Sequence, residues 1–323
     1  MNATVAKRTM SVLDDSAKNL DDPLMAKNRI PQLKAKQIFP DPRFRLHVMR
    51  IESHHVSRPH THDFEELVVI LDGKGKHQVG GETYDINAGD VFVMLGGMHH
   101  CYPQAENLSL INLLYDTANL RLPHADLGAL PGYHALFQVE PRMRQRRRFQ
   151  NRLKLDMDEL GWLAVLIGEL EAELRTKVAG SHFLATAHFM RIFGWLARAY
   201  TRIPVAKKRP LDQISRLLGH LEQQYAQPLT IEYLAKVAHM SPSSLFRLFR
   251  HLMGRSPVDY LIRLRISKAA QILRREPSRV SEVSEAVGFS DSNYFSRQFH
   301  QVMGLSPREY RRRSTAAAVS EAE

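Results

Sequence analysis

At 323 residues the chain exceeds what one ordinary core organises, and 44% hydrophobic with 24% charged residues suits globular domains, so two domains are expected. The single cysteine, Cys101, excludes a disulfide framework, no apolar run approaches a membrane span, and the first residues hold no apolar signal core. A cytoplasmic protein is expected. The net charge of +11 is unevenly placed: Leu211 to Arg313 carries 16 Lys/Arg against 9 Asp/Glu, while the other 220 residues hold 29 against 25. A basic excess concentrated in this way is the footprint of a nucleic-acid module, although a solvated basic surface would carry the same charge.

In chain order, residues 1–40 are polar and aperiodic and predict a mostly disordered tail. From 41 to 125 the texture is short β-rich runs: RLHVMRI, ELVVIL, KHQVG and GETYDI with Gly80-Gly81 at the bend, DVFVML and LSLINLLY. This regular short spacing predicts an antiparallel sandwich or barrel. Within RPHTHDFEELVVILDG, the residues His60, His62 and Glu66 share parity, so one extended strand would project them from one face, with Gly73 in a following turn. GDVFVMLGGMHHCY adds His99 and His100.

Residues 126–205 read as a helical dimerisation and linker region. After the basic stretch PRMRQRRRFQNRLK, apolar positions Leu160, Leu163, Ile167, Leu170 and Leu174 recur at spacings of three and four, a seam that serves either an intramolecular core or a dimer interface. HFLATAHFMRIFGWLARAY follows, apolar over much of its circumference, and RIPVAKKRP reads as a linker.

Residues 206–313 are helical and repeat a phrase, MGRSPVDY at 253–260 and MGLSPREY at 303–310. Gly254 and Gly304 suit the left-handed position that ends a helix; Ser256 and Ser306 suit N-caps, with Pro257 and Pro307 in the next first turn. Upstream, Met240 matches Phe289, and Leu245, Arg247 and Phe249 match Phe295, Arg297 and Phe299, so one extra residue sits at the second copy's turn. Each copy is therefore a short helix, a tight turn and a capped helix: a helix-turn-helix. The intervening SPVDYLIRLRISKAAQILRRE predicts one helix of about 18 residues, roughly 27 Å. That length, with its end turns, approaches the roughly 34 Å between major-groove faces on one side of a duplex.

The segment 211–313 resembles the C-terminal DNA-binding domain of AraC-type transcriptional regulators, and GFSDSNYFSRQFHQVMGLSPREYRRR looks like that family's signature. The resemblance implies double-stranded DNA as partner and places DNA contacts at Ser243, Ser244, Phe246, Arg247 and Arg250 in the first copy. In the second it places them at Ser292, Asn293, Ser296 and Arg297. Arginine can grip guanine, asparagine adenine, and serines phosphates as well. Ser284 departs from the family, which usually has alanine at that buried position. The tail 314–323 falls outside the resemblance.

His-x-His-x3-Glu with a distant His resembles the cupin pattern, in which His60, His62, Glu66 and His100 can hold a divalent metal; Leu95 stands where the second motif usually has proline. In cupins fused to AraC-type domains, the resemblance implies a small-molecule effector pocket, commonly for sugars, with no metal required. HTHDFEELVVI and NLLYDTANL look most like the L-rhamnose-operon activators, which implies a sugar-type effector. The expectation is thus an N-terminal antiparallel cupin-like barrel, a helical segment and an all-α double helix-turn-helix. It implies no enzyme but a DNA-binding activator, recruiting RNA polymerase as a homodimer. A metal-dependent cupin enzyme with a helical accessory domain is the alternative.

Overall fold

The computed structural model describes residues 30–120, 122, 126–145, 152–176, 178–202, 209–275 and 278–320. It divides into two compact units, the first comprising residues up to Leu127 together with Gly132–Leu211, the second comprising Gly128–Pro131 and everything from Asp212. Residues 1–29 of the expected tail, and 146–151 and 203–208 within the two basic stretches, lie outside the described residues.

The first unit is built on an antiparallel sheet. Its strands are β2 (Leu46–His54), β4 (Glu65–Val79), β5 (Glu82–Asn87), β6 (Asp90–Met94), β7 (His100–Tyr115) and β8 (Leu153–Lys154). They run in the order β2-β7-β4-β6-β8, with β5 on β4. Gly80 and Gly81, at φ 60° and 84°, make the two-residue hairpin that pairs Val79 with Glu82, since both central residues of such a turn need positive φ. Gly73 is not in a turn. It lies inside β4 at φ 77°, where the register with β7 shifts, and a Cβ there would stand 2.2 Å from the Asn107 carbonyl oxygen. This bulge lets β4 pair with β6 through its first half and β5 through its second. β8 also joins the sheet, against β6, from within the stretch expected to be helical.

Val68, Ile70, Phe92, Met94, Leu108 and Leu110 form one buried cluster on the sheet. Leu67 and Val69, facing the other way by strand alternation, are buried too, so both faces are covered. The outer cover includes a hairpin of α2 (Met157–Arg175) and α3 (Ser181–Thr201). Tyr115 meets Phe189 and Phe193 at ring separations of 5.2 and 5.1 Å, and Arg50 of β2 bonds Glu171 of α2 at 2.7 Å. The seam Leu160, Leu163, Ile167 and Leu170 is buried within this protomer, which decides for intramolecular core; Leu174 is half-buried.

The chain is ordered well before the expected end of its tail. β1 (Gln32–Leu33) runs parallel to β3 (Thr61–His62), and α1 (Ala35–Ile38) is pinned by the Ala35 N–H donating to Asp63 Oδ1 at 2.6 Å. Leu33, Ile38 and Phe39 pack with Phe64 and Leu114. Residues 31–39 thus form an apolar strap across the sheet's inner face.

The second unit contains α4 (Arg209–Gln224), α5 (Ile231–Val237), α6 (Pro242–Met253), α7 (Pro257–Arg275), α8 (Val280–Ala286), α9 (Ser292–Met303) and α10 (Pro307–Ser320), which runs on through most of the expected tail. The repeated phrase folds as one corner twice. Gly254 and Gly304 both adopt φ 72°, ending α6 and α9. Ser256 and Ser306 accept the Asp259 and Glu309 N–H groups at 3.1 and 3.3 Å, capping α7 and α10. Tyr260 then sets its ring edge-on against Phe249 at 5.5 Å and 77°, and Tyr310 does the same to Phe299 at 5.5 Å and 73°. The turn between α5 and α6 places His239 at φ 52°, and that between α8 and α9 places Gly288 at φ 90°. A Cβ on Gly288 would meet the Ala226 carbonyl oxygen at 2.5 Å, so only the second copy needs glycine there.

The connector α7 holds 19 residues and sends Ile266, Ala269, Ala270 and Leu273 into the second copy's core with Val283, Val287, Phe295 and Phe299. Arg265 donates to the Tyr225 and Gln227 carbonyls, both at 2.7 Å, tying the connector to the chain after α4. Ser284 is 1% exposed in this core and its hydroxyl has no hydrogen-bond partner among the described residues. A buried unpaired hydroxyl costs about 1–3 kcal/mol. Ser284→Ala should therefore raise the unfolding free energy by about 1 kcal/mol, read from the urea midpoint at unchanged slope; a lower midpoint would mean that the hydroxyl is satisfied.

Candidate functional site

In the second unit, two helices present matched exposed faces. α6 buries Leu245, Phe249 and Leu252 and exposes Ser243, Phe246, Arg247 and Arg250. Its N-cap Ser241 accepts the Ser244 N–H at 3.3 Å, and its hydroxyl also links to the Ser243 and Ser244 hydroxyls at 3.2 and 2.9 Å. α9 buries Phe295 and Phe299 and exposes Ser292, Asn293 and Arg297, with Ser296 half-buried. Its N-cap is Asp291, whose carboxylate accepts the Asn293 and Tyr294 N–H groups at 2.7 and 3.1 Å and is held below its usual pKa first by those bonds. The fifty-residue offset also places Tyr294 and His300 on this face, opposite Ser244 and Arg250; both are exposed, and sequence reasoning omitted them. Arg247 has no ion-pair partner among the described residues, while Arg297 lies 5.8 Å from the Tyr294 ring centre. Both guanidiniums are free to meet a base edge or a phosphate.

In the first unit, the four expected polar residues converge, but not along one strand. His60 sits in an isolated bridge to His100, His62 ends β3, and a bend at Asp63–Phe64 separates it from Glu66 on β4. His100 opens β7, whereas its neighbour His99 is exposed. Glu66 Oε2 lies 3.3 Å from His62 Nε2 and 3.5 Å from His100 Nε2, all three residues buried. Burial pushes Glu66 toward protonation, yet a proton shared with the adjacent His100 and His62 imidazoles outweighs it and holds the carboxyl well below its usual range. The His60 ring packs on His100 at 4.2 Å, and burial, then the nearby His100, depresses its pKa to about 4.

The backbone sets the tautomers. His60, His62 and His100 each place Nδ1 by a main-chain carbonyl two residues away, at 3.1, 2.6 and 3.3 Å. A carbonyl can only accept, so Nδ1 carries a proton and Nε2 of the neutral ring is a lone pair. Two such lone pairs facing one carboxylate repel it unless a proton or a cation lies between. The separations of 3.3 and 3.5 Å match the ~3.4 Å edge of a tetrahedron with ~2.1 Å bonds to zinc. His62, Glu66 and His100, with donor atoms all within 4.8 Å, thus fit a divalent ion, with the carbonyl bonds as the orienting outer contacts. His60 stands beside this triad.

These groups line a cavity of about 40 Å3, with Asn112, His54 and Tyr102 opposite and Met49, Ile51, Phe64, Leu33 and Ile38 as apolar wall. The strap supplies the last two. Asn112 Oδ1 and His54 Nδ1 are buried with no hydrogen-bond partner among the described residues. His77, also buried, packs on Tyr102 at 4.9 Å and is held well below its usual pKa by burial and then by His100. His54, His77, Tyr102 and Asn112 were missed because each lies in a strand whose local pattern carries no motif. At about 10–15 Å3 per water, the cavity admits about three waters, and a monosaccharide needs the strap displaced.

A sheet unit enclosing a buried polar cavity, joined in one chain to a double helix-turn-helix unit, defines a ligand-responsive DNA-binding regulator. Residues 44–184 match the AraC-like ligand binding domain and residues 234–313 the helix-turn-helix domain. The chain is 31% identical over 255 residues to the HTH-type transcriptional activator RhaR of Pectobacterium carotovorum, covering 79% of this chain and 86% of the relative. It is also 31% identical to the HTH-type transcriptional activator RhaS of Enterobacter sp., covering 78% and 86%. The chain belongs to the AraC family of transcriptional regulators. The enzyme alternative has no support, because relatives matched over most of the chain are named transcriptional activators. No helix among the described residues is long and apolar enough to cross a membrane.

Cobalt(II) titration should produce one equivalent of visible d–d bands. His62→Ala or Glu66→Gln should weaken that binding at least tenfold, while His60→Gln changes it little; equal losses from all three would put His60 among the ligands.

Proposed function

We propose that this protein is a transcriptional activator that engages two successive major-groove segments of DNA through α6 and α9, under control of a small molecule held beneath the strap. The observation that carries this reading is the pairing of two matched Arg-bearing helix faces with a roofed cavity lined by lone pairs. The effector is of the sugar or polyol class. Glu66, Asn112 and the imidazole Nε2 atoms offer acceptors, and hydroxyl groups supply donors. The names of these relatives, both transcriptional activators, support the sign of regulation, and an activator of this kind acts by recruiting RNA polymerase. Such a protein works in the cytoplasm, where its DNA is.

An ion held by His62, Glu66 and His100 would polarise a coordinated hydroxyl and leave the strap to sense the rest of the ligand. Filling the cavity moves Leu33 and Ile38, and the effector shifts the balance between arrangements only by binding one of them better.

Dimerisation through the α2–α3 hairpin uses the side away from its buried seam. Trp162 and Val165 are 37% and 62% exposed, Met190 is 38% exposed, and Trp162 packs on Trp195 across the two helices at 4.7 Å. Val165→Asp with Met190→Asp should give monomers by sedimentation with unchanged circular dichroism. Leu163→Asp, by contrast, should unfold the unit, and a persisting dimer in the first variant would move the interface elsewhere.

Selection of bound sequences from random DNA, with and without a panel of sugars and polyols, tests the whole reading. A bipartite site whose occupancy changes with one compound is the expected result; no enriched sequence would remove it. On that site, Arg247→Ala or Arg297→Ala should cost about 1–3 kcal/mol and relax specificity at one position. A uniform loss with a shallower salt slope would mark a phosphate contact. His62→Ala should abolish the response to effector and leave basal DNA affinity near normal.

A further inference from the structure

The two reading faces agree at Arg247 and Arg297 and differ at the position beside them, as they do where Ser244 matches Tyr294. In α6 that position is Phe246, 42% exposed; in α9 it is Ser296, whose hydroxyl donates to the Ser292 carbonyl at 2.9 Å and is satisfied inside its own helix. Phe246 is not part of the hydrophobic side of its helix, which Leu245, Phe249 and Leu252 complete. It stands instead among Ser243, Arg247 and Arg250, in the N-terminal half of the helix, one turn beyond the Ser241 cap. That is the part of a reading helix that meets base edges.

A phenyl ring there has neither donor nor acceptor, so it can recognise neither a phosphate nor a hydrogen-bonding base edge. The apolar group that a base pair offers in the major groove is the 5-methyl of thymine. We propose that Phe246 is a specificity-determining residue that reads thymine, its ring covering the 5-methyl group in the half-site engaged by α6, while the α9 half-site, met by Ser296, has no such reader at the matched position. This rests on the assignment of α6 as a DNA-reading helix. It predicts an operator whose two halves differ in chemistry although the units that read them are repeats.

The test uses the full-length protein and its selected operator. Each thymine is replaced singly by deoxyuridine, which lacks only the methyl group, and affinity is measured at fixed salt. One replacement in the α6 half-site should weaken binding about fourfold, the loss expected for one buried methyl. Phe246→Ala should bind the thymine and uracil forms equally at that position and keep the wild-type response to replacements elsewhere. Phe246→Leu should retain part of the discrimination. The proposal is overturned if no thymine in that half-site shows methyl dependence, or if Phe246→Ala keeps it. An exposed ring that serves a protein partner instead would give the first of these results. Failure to enrich any sequence would sink the DNA-reading assignment itself, which is a distinguishable outcome.

Discussion

The DNA-facing half of this molecule depends on one corner used twice. A helix ends on a left-handed glycine, a serine caps the next helix, and one turn later a tyrosine lays its edge against the phenylalanine on the buried side of the helix just ended. Each component is local, but together they fix the angle between the reading helix and the helix that follows. The ring separations agree at 5.5 Å in both copies because the fifty-residue offset carries glycine, serine, tyrosine and phenylalanine together. The exposed faces of α6 and α9 are free to differ because none of their residues takes part in the corner.

The sheet unit solves a different problem. A carboxylate buried among imidazoles is costly unless each lone pair is answered. Main-chain carbonyls hold Nδ1 of His60, His62 and His100 and so direct Nε2 of His62 and His100 at Glu66, an arrangement that a proton or a cation between them would complete. Leu33 and Ile38 of the strap line the same cavity. The cavity therefore combines polar groups, Glu66, Asn112 and the histidines, with the apolar wall that the strap completes.

Much of this was legible beforehand. Glycine, serine and proline act through backbone conformation and caps, which operate within four residues, so the double helix-turn-helix could be read from its punctuation. The convergence of His60, His62, Glu66 and His100 was also foreseen, though on the premise of a continuous strand that the bend at Asp63–Phe64 breaks. Gly73 shows the limit: a positive-φ glycine serves a turn or a bulge equally well, and only the partner strand, pressing Asn107 against it, distinguishes them.

By itself, then, the sequence determined the repeat, the caps, the strand runs and the candidate polar side chains His60, His62, Glu66 and His100, because each depends on near neighbours along the chain. Tertiary structure alone decided what depends on distant ones. It put the Leu160–Leu170 seam inside the protomer, folded residues 31–39 over the cavity, and brought β8 into the sheet from beyond the expected boundary. It also gathered His54, Tyr102 and Asn112 around Glu66 from strands up to 58 residues apart. The physical reason is that burial and register are settled by what packs opposite, and a one-dimensional pattern names an apolar or polar face without naming its partner.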